Sequence, residues 1–201
     1  MLAPDTLTLK YYDSVCDEYD KFSSSIDMQA QWEVFERKLP LGSKILDLGC
    51  GTGRDIQYFL SKGYNVEGLE PSVAMANIAR LKTGAKIINL AAEQMDFAGE
   101  FDGVWACASL IHIPKSALVA TLPKIARALK FGGYFYLSLK QGVGEARNND
   151  GRFFSFYEMD EILELLLNVN QLEGVEHWLS KDLAGRSDTQ WINVLVKKIS
   201  M

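Results

Sequence analysis

The chain has 201 residues, 48% of them hydrophobic, enough for a single domain with a full core. Its 26 acidic and 21 basic residues leave a net charge of −5 with no basic run, which argues against a nucleic-acid substrate. No apolar run reaches the roughly 18 residues of a membrane span, no basic-then-apolar leader opens the chain, and Cys16, Cys50 and Cys107 show neither disulfide nor zinc spacing, so a cytoplasmic protein with reduced thiols, no metal and no membrane segment is expected.

Residues 8–38 read as helical, with Tyr11, Tyr12, Val15 and Tyr19 at roughly helical spacing and Trp32, Val34 and Phe35 continuing the apolar face. Leu39-Pro40-Leu41-Gly42-Ser43 then turns into a short apolar strand over 44–48, suited to burial on both faces of a sheet. Three alternate glycines, Gly49, Gly51 and Gly53, follow, and Asp55 opens a helix that ends near Gly63. Strand, glycine loop and helix N-terminus together make a ligand cradle, because glycine lets a ligand lie against the backbone and the first helical N–H groups are free.

The spacing identifies the ligand class. A dinucleotide loop reads G-x-G-x-x-G, but here the glycines run G-x-G-x-G and Arg54 stands where the third glycine would be. Asp47 precedes the loop, where an acid suits an ammonium better than a pyrophosphate. Glu70 ends the next apolar run, 65–69, at the separation expected of a ribose-binding acid. A ligand with a ribose, an ammonium and no phosphate is S-adenosylmethionine.

Ile45-Leu46-Asp47-Leu48-Gly49-Cys50-Gly51-Thr52-Gly53 resembles the first motif of the class I S-adenosylmethionine-dependent methyltransferases, and Leu69-Glu70-Pro71-Ser72 resembles their second. The resemblance covers about residues 12–196. It implies an α/β, Rossmann-like three-layer sandwich with a seven-stranded, mostly parallel sheet and an antiparallel C-terminal strand. It also implies cofactor contacts at Asp47, Gly49, Cys50, Gly51, Gly53, Asp55, Glu70, Pro71 and Ser72. In the family the N-terminal helix often forms a tyrosine-bearing lid, which points to Tyr12 and Tyr19.

After Pro71 a helix carries Val73, Met75, Ala76, Ile78 and Ala79; family likeness puts its start, and Met75, beneath the adenine. A third strand is expected at 86–90. The acid that relatives often place just after it is replaced by Ala91, leaving Ala92 and Glu93 as adenine contacts, or Glu93 as a solvated loop carboxylate. Strand four, 101–106, leads into a loop bearing Cys107 and His112, which the rule for open α/β sheets sets beside the ligand. His112 either hydrogen-bonds the backbone or serves as a general base, with Tyr12 and Glu145 the other base candidates.

An amphipathic helix over 114–129 ends in Leu129-Lys130-Phe131-Gly132-Gly133, similar to the family's LKPGG turn, and strand five covers 134–139. The glycine-rich segment 140–152 is expected to be a loop on the acceptor side. Lys140, Arg147 and Arg152 would form a cationic rim, with Lys140 and Arg152 assigned to the substrate and Phe153, Phe154, Phe156 and Tyr157 as pocket wall. A helix over 158–169 and strands at 175–179 and 191–196 close the sheet. The segment from Lys140 and the Trp178, Asp182, Arg186, Trp191 set resemble a bacterial branch of small methyltransferases related to tellurite-resistance enzymes.

The expected organisation is one domain, 1–201, with a helical cap (1–40), a cofactor core (41–139) and an acceptor side (140–201). The expected activity is methyl transfer from S-adenosylmethionine, leaving S-adenosylhomocysteine, to a small molecule. The rivals are an NAD(P)-dependent oxidoreductase and a non-catalytic S-adenosylmethionine-binding regulator.

Overall fold

The computed structural model describes residues 4–200. Its strands are β1 (Lys44–Leu48), β2 (Asn65–Leu69), β3 (Lys86–Ile88), β4 (Phe101–Cys107), β5 (Leu129–Lys140), β6 (Glu145–Arg147), β7 (Phe153–Ser155), β8 (Leu172–Lys181) and β9 (Gln190–Lys198). Seven form one sheet in the order β3-β2-β1-β4-β5-β9-β8. β1 to β5 are parallel, β9 runs antiparallel to β5, and β8 is antiparallel to β9. The expected fold class is therefore the observed one.

Side chains alternate across β1 and so divide the core. Ile45 packs with Trp32 and Phe35 of α3 (Gln29–Glu36), Ile56 and Phe59 of α4 (Arg54–Ser61) and Ala76 of α5 (Val73–Thr83). Leu46 and Leu48 face the other side, against Leu118 and Leu122 of α6 (Lys115–Ala128) and Ile162 of α7 (Met159–Leu167). Burial on both faces explains why β1 reads as an unbroken apolar run apart from Asp47.

Local chemistry moved several expected boundaries. The N-terminal helix is three: α1 (Thr6–Ser14), α2 (Cys16–Ser24) and α3. Val15 breaks the first pair (φ −119°, ψ 15°), and Asp27 accepts from Gln29 N at 2.9 Å to start the third. β3 stops at Ile88 because the Asn89 amide turns to donate to the Glu70 and Pro71 carbonyls, at 2.8 and 3.0 Å. The glycine-rich segment after Lys140 is not a free loop: β6 and β7 pair as an antiparallel hairpin. Among the described residues no helix is long and apolar enough to cross a membrane.

Candidate active site

The site forms at the carboxyl ends of β1, β2, β4 and β5, where parallel strands stop and their following turns open. Gly49 N and Cys50 N both donate to the Leu69 carbonyl (2.7 and 3.2 Å), folding the glycine loop over the end of β2. Gly51 N then donates to Glu70 Oε2 and Ser72 N to Glu70 Oε1, each at 2.8 Å. Two backbone donors thus aim the Glu70 carboxyl, which keeps further lone pairs for a ligand. Burial raises this carboxyl from its ordinary 4.5 to about 7, against the two backbone hydrogen bonds.

The three glycines have three different neighbours. A Cβ on Gly49 (φ +76°) would come within 2.4 Å of Ser109 Cβ. On Gly53 (φ +88°) it would meet Thr83 Cγ2 at 2.9 Å and Ala79 Cβ at 3.3 Å, so Gly53 serves the packing of α4 on α5 and lines neither of the site's two cavities. On Gly51 (φ +54°) its nearest neighbours would be Tyr19 at 3.7 Å and Met75 at 3.9 Å, ordinary van der Waals contacts that displace nothing. Gly49→Ala and Gly51→Ala share the left-handed strain, but only the first overpacks. Gly49→Ala should be less stable than Gly51→Ala by about 2 kcal/mol, read by denaturant unfolding. Equal stabilities would refute this division of roles.

Two cavities share walls made by Tyr12, Tyr19, Gly49, Gly51, Cys107 and Ala108. The smaller, about 110 Å³, is lined by Glu70, Pro71, Met75, Ala92, Glu93 and His112. The larger, about 290 Å³, is lined by Cys50, Arg54, Asp55, Lys140 and Arg152. Ala108, at their junction, is the one non-glycine of positive φ (+53°) among the described residues. Strain of this kind gathers at functional sites.

Helix α1 roofs both spaces: Thr8 and Tyr12 line the smaller, Tyr11 and Tyr12 the larger. It is tied down at both ends. Asp5 pairs with Arg147 (2.7 and 3.0 Å), Thr8 Oγ1 accepts from Phe153 N (2.9 Å), and Asp13 accepts from Ser72 Oγ (2.6 Å). Ser72 also accepts from Met75 N (3.2 Å), so it caps α5 and lines neither cavity.

Asp47 and Asp55 are both buried, and their environments differ. Asp55 Oδ1 accepts from Trp32 Nε1 (3.0 Å) and Arg54 Nε (2.7 Å); Oδ2 accepts from Trp105 Nε1 (2.9 Å) and Arg54 Nη2 (2.8 Å). Burial raises the Asp55 carboxyl, but Arg54 and the two indoles outweigh it and hold it below the ordinary value. Asp47 is raised, by burial and then by repulsion from Asp55, and its Oδ2 has no partner. It lines neither cavity, so any part it takes in holding the cofactor's amino-acid end is indirect; Arg54 stands on the wall of the larger one.

His112 and Tyr12 form a pair. His112 Nδ1 lies 2.7 Å from the Phe153 carbonyl, which only accepts, so Nδ1 carries the hydrogen and Nε2 accepts from the Tyr12 hydroxyl at 2.7 Å. Burial lowers His112 to about 4, consistent with a neutral ring, and raises the Tyr12 phenol above its ordinary value. The imidazole is thus occupied at both nitrogens. Glu145, the other expected base, lines neither cavity: its Oε1 accepts from Lys115 N (2.6 Å) at the start of α6 and from Ser155 Oγ (3.3 Å).

Of the expected aromatic wall, only Phe154 lines a cavity, and Tyr157 is fully buried in the core. Arg147 is spent on Asp5, whereas Lys140 and Arg152 do line the larger cavity. The structure adds residues that the sequence did not single out as ligand contacts. Arg54 had been read only as a displaced glycine, Tyr11 as part of an apolar face, and Gln31 and Ser138 gave no signal.

Residues 45–133 match the family model for a methyltransferase domain. The chain is 32% identical over 146 residues to the ubiquinone biosynthesis O-methyltransferase of Pseudomonas aeruginosa, a match covering 69% of this chain and 60% of that protein. It therefore spans about three fifths of that relative's length. Among solved structures it is similar to 1,6-didemethyltoxoflavin-N1-methyltransferase of Burkholderia thailandensis, crystallised with 1,6-didemethyltoxoflavin and S-adenosylhomocysteine (TM-score 0.82, 19% identity, 100% of this chain and 92% of that one). It is also similar to a TehB-like S-adenosylmethionine-dependent methyltransferase of Corynebacterium glutamicum (TM-score 0.69, 17% identity, 94% and 98% covered). At such identities the structural likeness is one of fold.

Proposed function

From a chain built on the class I S-adenosylmethionine-dependent methyltransferase fold, with a methyltransferase domain at residues 45–133, we propose methyl transfer from S-adenosylmethionine to a small-molecule acceptor. The observation that carries this reading is Glu70, held by Gly51 N and Ser72 N on the wall of a cavity that Gly51 also lines. A carboxylate so held accepts from two vicinal ribose hydroxyls. The cofactor supplies an electrophilic methyl group; the protein has only to hold the acceptor in line and keep water out.

The residues present fit that cofactor. Pro71, Met75, Ala92 and Glu93 surround the space beside Glu70 for the adenine. Arg54 gives Nε and Nη2 to Asp55, which leaves Nη1 for a ligand carboxylate. Gln31 Oε1 and Ser109 Oγ are buried without partners, and each belongs to a cavity-lining residue. Tyr12 and His112, engaged with each other, position the α1 roof rather than take the acceptor's proton. A 290 Å³ chamber beneath a helix suits a small acceptor better than a macromolecule. Three free thiols support a reducing, cytoplasmic setting. The division into cap, core and acceptor side is supported by Lys140, Arg152 and Trp191 all facing the larger cavity.

Thermal unfolding with S-adenosylhomocysteine and with NAD tests the reading. At about 100 times its dissociation constant the first should stabilise by about 2.7 kcal/mol, or roughly 5–10 °C. A shift with NAD alone would favour the oxidoreductase. The effect should also depend on pH. Because the empty protein holds Glu70 protonated up to about 7 against 4.5 when unfolded, this group's stabilising contribution is full below 4.5 and lost as pH rises through 7. Ribose hydroxyls favour the carboxylate, so affinity for S-adenosylhomocysteine should rise from pH 5 to 8. A profile equally steep in Glu70→Gln would place the titration elsewhere.

A further inference from the structure

The cations of the larger cavity are not equally satisfied. Arg54 is clamped by Asp55 and Arg152 by Asp150 (2.6 and 3.1 Å). Arg186 is clamped by Asp182 (2.7 and 3.1 Å), which also accepts from Trp191 Nε1 (2.9 Å). Lys140, at the carboxyl end of β5, has no such partner: among the described residues its ammonium makes no hydrogen bond or ion pair. It lies 4.0 Å from the centroid of the Phe154 ring and 6.0 Å from that of Trp191. Arg152 stacks at 4.4 Å on Tyr11 and lies 5.2 Å from Phe154. A half-buried cation among aromatic faces, with its neighbouring cations already neutralised, favours an anion.

The groups facing Lys140 sharpen this. Burial first, and then Arg186 and Arg152, lower its ammonium to about 8, against Asp182 and Asp150. Both carboxylates are already spent on those arginines, so the protein itself offers Lys140 little compensation. Three aromatic residues, Tyr11, Phe154 and Trp191, also line the cavity. Rings favour a planar occupant, and the uncompensated ammonium favours a negative one.

We propose that the methyl acceptor is a planar aromatic anion, held with Lys140 as its counter-ion and Phe154 and Trp191 as its walls. This deepens the methyltransferase reading and rests on it. The step then balances without a protein base. The acceptor's lone pair forms a bond to the methyl carbon as the carbon–sulfur bond breaks, that bond pair stays on sulfur, and anion and sulfonium become two neutral products. The acceptor's proton has left to solvent before binding, which accounts for a site whose histidine is engaged at both nitrogens and whose Glu145 is turned away.

The test uses matched ring pairs titrated calorimetrically into the protein saturated with S-adenosylhomocysteine: benzoate against benzamide, and 2,4-dinitrophenolate against 2,4-dinitroanisole. The wild type should bind each anion at least about tenfold more tightly than its neutral partner. Lys140→Gln should abolish the preference, Lys140→Arg should retain it, and affinity for S-adenosylhomocysteine should be the same in all three proteins. Equal affinity within the pairs, a preference that survives in Lys140→Gln, tighter binding of benzylammonium, or no saturable binding of either anion would overturn the inference. If S-adenosylhomocysteine itself fails to bind the wild type, the methyltransferase reading falls first. If it binds and no anion preference is found, only the acceptor class is wrong.

Discussion

Replacing Asp55 by alanine is expected to destabilise the protein by about 4 kcal/mol, lowering the melting temperature by roughly 8–16 °C. Asp55 is 6% exposed, and its two oxygens take four hydrogen bonds, two from indoles and two from one guanidinium. The alanine variant leaves Trp32 Nε1, Trp105 Nε1 and Arg54 without their acceptor in a buried place. An uncompensated buried charge makes up most of the cost, and two orphaned donors add to it. The effect reaches across the fold, because Trp32 belongs to α3, Trp105 to β4 and Arg54 to the first turn of α4. Asp55→Asn keeps one acceptor oxygen and should lose less. Denaturant unfolding of both variants checks this, and a loss under 1 kcal/mol in Asp55→Ala would mean that Asp47 takes over the guanidinium.

Glu70→Ala should weaken S-adenosylhomocysteine binding about 100-fold with little change in stability. Two charge-assisted hydrogen bonds to a ribose, at roughly 1.5 kcal/mol each, make about 3 kcal/mol, or two powers of ten. The small effect on folding follows from cancellation. The variant frees Gly51 N and Ser72 N from their acceptor, but it also removes a carboxyl whose burial is unfavourable enough to raise it to about 7. Calorimetric titration and thermal unfolding of one preparation read both halves. Wild-type affinity in Glu70→Ala would remove the ribose assignment and the argument for the cofactor with it.

Asp55 and Glu70 also show what a sequence displays and what it hides. Glu70 was legible because its role depends on a local pattern: an acid at the end of the strand after a glycine loop, at a separation fixed by one strand–helix–strand unit. Asp55 lies in the same motif and was expected to touch the cofactor. It lines the larger cavity, but its hydrogen bonds go to tryptophans 23 and 50 residues away, and nothing near it in the chain announces them. Gly53 fails in the same manner, since its close neighbours are Ala79 and Thr83 on another helix. The parallel sheet was legible because strands buried on both faces must be apolar runs. The β6–β7 hairpin was not, because two three-residue strands in a polar, glycine-rich segment carry too few residues for a period of two to stand out. Glu145 was misplaced with it, since its contact with Lys115 exists only once the hairpin folds back on α6.

The tethers of α1 hold one roof over two chambers. One short helix carries residues over both, with Asp13 held by Ser72, Thr8 by Phe153 and Tyr12 by His112. A displacement of that helix would change the walls of both chambers at once, because Tyr12 lines both.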